Sequence, residues 1–188
     1  GEIDAAQAMI YNEYAQMLEA TNPATGKLYT EDDLSVIDWN DVGTAMLQDA
    51  IWADGARLAD ESYADITERF VAGSLEGWMF CRDNSADCVE IVLNNGSALG
   101  ASHQAWQMNE INGLIWPSPD GVGVMDSDLW AQTIGVSTSE SILASPPDSG
   151  AHSTVYAEAA VELLKNRGMD TTGKNWRRVE VTLNPGGE

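Results

Sequence analysis

Positive charge is what this chain has least of. Its 188 residues carry 9 Lys and Arg against 30 Asp and Glu, a formal net charge of −21. Non-specific nucleic-acid binding needs basic side chains to neutralise phosphates, so that class is excluded. An anionic membrane surface repels such a chain as well. Acidity of this degree favours solubility in salt and says little about fold. No apolar run approaches the roughly 18 residues of a membrane-spanning helix. The common chemistry motifs are missing too: there is no GxGxxG, no Walker loop, no HExxH and no GxSxG. Histidine is nearly absent. His103 and His152 each stand beside Ser near an expected helix start, and they read as solvent-exposed or capping residues. A triad of Ser102, His103 and some Asp can be written on paper, but no feature singles it out. With 30 carboxylates, acid–base pairs are uninformative. Asp126-Ser127-Asp128 lacks the Gly and spaced Glu of a calcium loop and reads as a helix cap. No metal or cofactor is expected.

What is present is ordinary globular material. Hydrophobic residues make up 44%, and seven Trp with five Tyr argue against disorder. At about 150 residues per domain, the length allows one domain, or one and a piece. The chain starts at Gly1 in what reads as a strand, with no basic and apolar leader before it. It is therefore expected to be a piece of a longer protein. Two cysteines, Cys81 and Cys88, are too far apart for a CxxC site. The Asp83-Asn84-Ser85 between them is turn and cap chemistry, and two helix ends meeting there could bring the sulfurs into bonding range. A disulfide would imply an oxidising compartment, here the bacterial periplasm. The alternative is two small buried hydrophobes in a cytosolic protein.

Along the chain, residues 1–8 read as a strand and 11–20 as a helix. Residues 34–39 and 45–53 read as strands, the second less clearly, since its pattern also fits a helix. From Tyr63 to Phe80 a helix is expected, with Ile66, Phe70, Leu75, Trp78 and Met79 as its apolar stripe. Asn84 or Ser85 caps a second helix through Leu93. Asn95-Gly96-Ser97 matches a glycosylation sequon but reads as a turn. Ser102 caps a helix bearing Trp106, Met108 and Ile111 that stops before Pro117. Asp126 or Ser127 caps another. A last helix, about 153–167, turns Tyr156, Ala160, Leu163 and Leu164 inward and closes at Gly168. Residues 179–183 form a final strand. Trp78, Trp106 and Trp130 are assigned to the core. The expected class is α/β, rich in helix.

Polar and aromatic residues gather where strands are expected to run into helices. Tyr11-Asn12-Glu13 follows the first strand directly. In open α/β sheets ligands sit beyond the carboxyl ends of strands. There Tyr11 could stack, Asn12 could donate or accept, and Glu13 could accept from a donor-rich heterocycle. The plainer alternative is a first helical turn, where Glu is favoured by the dipole. Trp39-Asn40 is a second such junction, with a capped turn as its alternative.

Several runs together resemble one family. They are residues 1–14, Asp38 to Gly43, Met46 to Ala53, Glu76 to Asn84, Met108 to Asn112 and Ile115-Trp116-Pro117. The sequence resembles the periplasmic substrate-binding proteins of ABC importers, of the thiamine-pyrimidine-precursor type related to nitrate, sulfonate and taurine binders. The resemblance implies an incomplete type II periplasmic-binding-protein fold. Residues 1–37 are then the end of the second lobe, 38–41 the crossover, and 42–188 the returning part of the first lobe. It implies ligand contact by Tyr11, Asn12 and Glu13, no catalysis, and an inner-membrane ABC permease as partner; Trp39 and Asn40 join the expected ligand contacts from their place at the second junction. It also implies that uncovered apolar faces drive self-association. Glu13 favours a nitrogen heterocycle over a small anion such as nitrate or a sulfonate, which a carboxylate repels; binding of nitrate, a sulfonate or taurine is the alternative. A pyrimidine-synthesising enzyme of the same fold is the rival, disfavoured because its His- and Cys-rich site has no counterpart here.

Overall fold

The computed structural model describes residues 3–96 and 98–188. Among them are six α-helices: α1 Glu13–Leu18, α2 Glu61–Asp83, α3 Ser85–Asn94, α4 Ala101–Ile115, α5 Ser127–Ser139 and α6 Val155–Asn166. Three short 3₁₀ turns lie at Glu31–Asp33, Arg57–Ala59 and Pro185–Gly187. The protein is helix-rich. No strand is found among the described residues, where one isolated antiparallel bridge joins Thr21 and Leu28.

The four expected strands are therefore corrected, and the reason is one of partners. A strand exists only through a neighbouring backbone. Here the extended segments bond to side chains instead. Leu47 N donates to Thr133 Oγ1 at 2.9 Å, and Ala45 O accepts from Gln132 Nε2 at 2.6 Å. Val179 exchanges both its backbone bonds with the Asn109 side-chain amide, at 2.9 and 3.0 Å. Residues 34–39 lie extended or in turns, with Val36 and Ile37 exposed. Of the strand expected over 1–8, residues 1 and 2 lie outside the described residues, and 3–8 are irregular.

The chain divides into two compact units. Unit 1 holds residues 1–35, 77–117 and 173–188; unit 2 holds 36–76 and 118–172. In unit 2 the core is aliphatic. Val71, Ala72 and Leu75 of α2 are buried there, as are Val122 and Ala157, Ala160, Val161 and Leu164 of α6. The α6 positions recur at three and four residues, the period of one helical face. The loop before α5 reaches this core because Gly121 and Gly123 take φ of +114° and +79°. A Cβ on either would fall within 2.7 Å of Val161 or 2.5 Å of Leu75.

The α2 stripe is rotated from the expected one. Ile66 and Phe70 are exposed, while Val71, Ala72, Leu75 and Met79 are buried. Residues 71, 75 and 79 keep the four-residue spacing that Ile66 and Leu75 break. On α6, Tyr156 and Leu163 likewise give way to Ala157 and Val161. Trp78 is partly exposed, and Trp106 and Trp130 are half-buried rather than core.

Local signals hold better. Asp126 Oδ1 accepts from Asp128 N and Leu129 N at 2.8 and 2.9 Å, an N-cap for α5. Gly168, at φ +79°, ends α6 with Met169 N donating to Leu164 O. Cys81 and Cys88 form a disulfide across the α2–α3 corner, with Cα atoms 5.4 Å apart. Ser102 is not a cap: α4 starts after Gly100, and Ser102 Oγ accepts from Asn184 N at 3.0 Å. No described helix is long and apolar enough to cross a membrane.

Candidate functional site

The start of α1 lies in unit 1 and is built by a tight turn. Asn12 N and Tyr14 N both donate to Met9 O, at 3.0 and 3.2 Å. Glu13 reaches back and accepts from Met9 N at 2.8 Å, closing the turn from its other side. This bond, with one from its own backbone N–H, holds the Glu13 carboxyl below its ordinary 4.5. Glu13 is exposed and ionised at neutral pH, while Tyr11 and Asn12 are half-buried.

Asn12 belongs to a chain of polar side chains that ends in the interior. Its Oδ1 accepts from Gln16 Nε2 at 3.2 Å and faces His103 Nε2, also at 3.2 Å. Its Nδ2 points to Glu13 Oε1 at 3.4 Å. On the far side of the imidazole, His103 Nδ1 meets Glu19 Oε1 at 2.7 Å. His103 is fully buried and Glu19 nearly so. The imidazole thus spans α1, from its start at Asn12 to its end at Glu19. The expectation that His103 is exposed or capping is corrected; His152 is half-buried in the loop before α6, its ring 4.4 Å from that of Trp130.

Neighbouring contacts fix the frame. Trp106 Nε1 donates to Ile10 O at 2.9 Å, tying α4 to the turn before α1. Tyr14 lies 6.5 Å from Trp106 between ring centroids. Burial, and then the charge of Glu31, raise the Tyr14 phenol above its usual range. The C-terminal tail docks on α4. Asn109 holds Val179, Glu110 pairs with Arg178 at 3.1 Å, and Ser102 accepts from Asn184. This docking covers Ser102, His103, Asn109 and Glu110, while Asn112 accepts from Trp116 Nε1 at 3.0 Å; with Gln104 these are the buried positions of α4, all polar. Buried polar groups persist when they are bonded, and most of these are.

The site residues fall in two places. Tyr11, Asn12 and Glu13 share one helix start in unit 1. Trp39 and Asn40 belong to unit 2, in a turn where Asp38 Oδ1 accepts from Asn40 N and Nδ2 at 2.8 and 3.0 Å. Trp39 is half exposed. Sequence reasoning missed Glu19 and His103 as a pair. The one available signal was composition: α4 mixes apolar residues with seven polar ones, of which only Glu110 carries a formal charge. Among the described residues no group of three or more His, Cys, Asp or Glu could hold a metal.

Chemically, the α1 start offers one ionised acceptor, Glu13, beside one amide, Asn12. No family model, curated protein or solved structure matches the chain.

Proposed function

We propose that the chain is part of an extracytoplasmic solute-binding protein of an ABC importer. It captures a small nitrogen heterocycle, of the thiamine-pyrimidine-precursor type, and presents it to a membrane permease. In this reading the chain contributes to a type II periplasmic-binding-protein fold. Residues 1–37 end the second lobe, 38–41 cross over, and 42–188 return to the first. The lobes close on ligand by a hinge motion that the ligand selects through its higher affinity for the closed state. No chemistry is performed on the ligand.

The observation that carries the reading is the Asn12–Glu13 pair at the start of α1, an amide nitrogen 3.4 Å from an exposed, ionised carboxylate. A carboxylate there accepts from an amino group and repels nitrate or a sulfonate. The Cys81–Cys88 disulfide supports export, since such bonds persist in oxidising compartments.

Thermal unfolding with and without ligand tests this. A 4-aminopyrimidine at about 100 times its Kd is expected to stabilise the protein by about 2.7 kcal/mol. Nitrate and taurine at the same concentration leave the midpoint unchanged. Stabilisation by the anions and not by the aminopyrimidine overturns the choice of ligand. No stabilisation by any of the three overturns binding by this chain.

A further inference from the structure

Residues 178–183 of unit 1 have the composition and course of a strand but no sheet. Val179-Glu180-Val181-Thr182-Leu183 is rich in β-branched residues, which suit an extended backbone. From residue 176 to 184 the chain makes no turn or bend, and none of these residues takes a positive φ. One edge of the segment is already satisfied. Val179 N donates to Asn109 Oδ1 at 2.9 Å, and Val179 O accepts from Asn109 Nδ2 at 3.0 Å. A residue of an antiparallel neighbour exchanges the same two bonds, so the Asn109 amide stands where a second strand would. The backbone dictates how that amide is turned, because the Val179 N–H can only donate and its C=O only accept.

The opposite edge is open. In an extended chain the backbone groups of successive residues point to opposite sides. Val179 turns its pair toward α4, so Arg178 and Glu180 turn theirs away from it. Both residues are exposed, and their backbone groups bond to nothing among the described residues. Such an edge is a template for another strand. Charge says which strand fits. Lys174, Arg177 and Arg178 are three of the nine cations of the chain, and Glu180 is the one carboxylate between 174 and 183. On a body of net charge −21 this stretch is positive, and it attracts a partner that is negative overall, as a second copy is. The triplet Arg178-Val179-Glu180 is also complementary to itself read backwards. Opposite charges facing each other across a strand pair stabilise it, and like charges destabilise it. Arg178 already pairs with Glu110 but keeps 49% of its side chain exposed, enough to face a second carboxylate.

We propose that the open edge at Arg178–Glu180 is a self-association site, where a second copy of this chain adds the same segment antiparallel, Arg178 opposite the second copy's Glu180 and Val179 opposite its Val179. Each Arg178–Glu180 pair exchanges both backbone hydrogen bonds and matches opposite charges. At the twofold axis the two Val179 side chains, each 67% exposed in the single chain, cover one another. Sliding one strand by two residues sets Glu180 against Glu180, so charge selects the register. The association does not depend on the ligand-binding function proposed above.

Sedimentation of the whole chain over a range of concentrations, without ligand, tests the site. One strand pair is a small contact, so wild type is expected to dimerise weakly, half complete by about 1 mM. Glu180→Pro removes an outward N–H and leaves the Val179 bonds to Asn109 in place. It is expected to weaken dimerisation about tenfold or more. Glu180→Arg keeps the backbone intact and sets Arg against Arg178; it is expected to weaken dimerisation as well, with a melting midpoint near that of wild type. The register is read separately. Val179→Cys brings two thiols together at a pair of residues whose Cα atoms lie about 4.5 Å apart, within disulfide range, and mild oxidation is expected to give a covalent dimer. Val181→Cys is expected to cross-link several-fold more slowly. A wild type that stays monomeric at about 1 mM overturns the proposal. So does a dimer that Glu180→Arg leaves undiminished, or a Val181→Cys protein that cross-links as readily as Val179→Cys.

Discussion

In unit 2 the buried residues are mostly aliphatic: Val71, Ala72, Leu75, Val122, Val161 and Leu164, with alanines between them. In unit 1 most buried positions are polar or charged, among them Glu19, Arg82, His103, Asn109 and Asn112. The difference is in kind of cohesion. Aliphatic contacts are non-directional and scale with area removed from water. Polar contacts stabilise modestly when made and cost more when one partner is left alone. Unit 1 therefore depends on specific pairs: Glu19–His103, Asn109–Val179, and Arg82, which chelates Asp83 at 2.7 and 2.8 Å while lying 4.5 Å over the Trp116 ring. It also holds the disulfide. A unit with a small apolar core gains from such a staple.

The largest expected effect lies in the aliphatic unit. Leu164 has no exposed surface, and Leu164→Ala should cost about 3 kcal/mol through lost transfer energy and the cavity left behind. Chemical denaturation measures it. A loss below about 1 kcal/mol would mean that unit 2 is not held by its aliphatic contacts, and the contrast would collapse. Next comes the staple. Replacing Cys81 and Cys88 together by Ser should cost about 2–3 kcal/mol, the loop-closure effect for a separation of 7. Reduction of wild type by a thiol should lower the melting midpoint comparably. If neither changes it, the directional bonds of unit 1 suffice alone.

A finer probe separates shape from bonding. Asn109→Leu keeps the branched shape and the number of heavy atoms, and removes both bonds to Val179 together with the one to Glu110. It is expected to cost about 1–2 kcal/mol and to raise hydrogen exchange at Val179. An unchanged exchange rate would show that the tail is held by packing and not by the amide.

What could be foreseen from residues follows the same division. The Asp126 cap, the Gly168 stop and the Cys81–Cys88 corner each depend on partners within seven positions, and each was legible. The α2 and α6 helices were legible as helices, but their inward faces were not. The choice between Phe70 and Val71 depends on what packs opposite, and hydrophobicity ranks both as core. The strand expectations failed because alternation describes a segment and not its partner. Residues 45–47 bond to α5, some 86 positions away. At the site, Asn12 and Glu13 stood out as polar residues at a helix start. Glu19 and His103 did not, since 84 residues separate them and each alone suits an exposed surface.

The smallest expected effect tests whether local bonds at the α1 start hold the turn or merely decorate it. Glu13 accepts from Met9 N, and its carboxyl titrates below the ordinary 4.5 in the folded protein. A depressed carboxyl stabilises the fold in its ionised form. That contribution is complete above pH 4.5, where the unfolded chain is ionised too, and it fades as pH falls through the folded value. Glu13→Gln should therefore melt slightly below wild type at pH 7, and the two midpoints should converge toward pH 3. The side chain is exposed, so solvent screens the charge and the gap stays small. A gap that persists at pH 3 would assign the effect to side-chain shape, and a gap that widens on acidification would reverse the sign. Convergence leaves Glu13 as an ionised acceptor whose second oxygen faces Asn12, the charge state that recognition of an amino group requires.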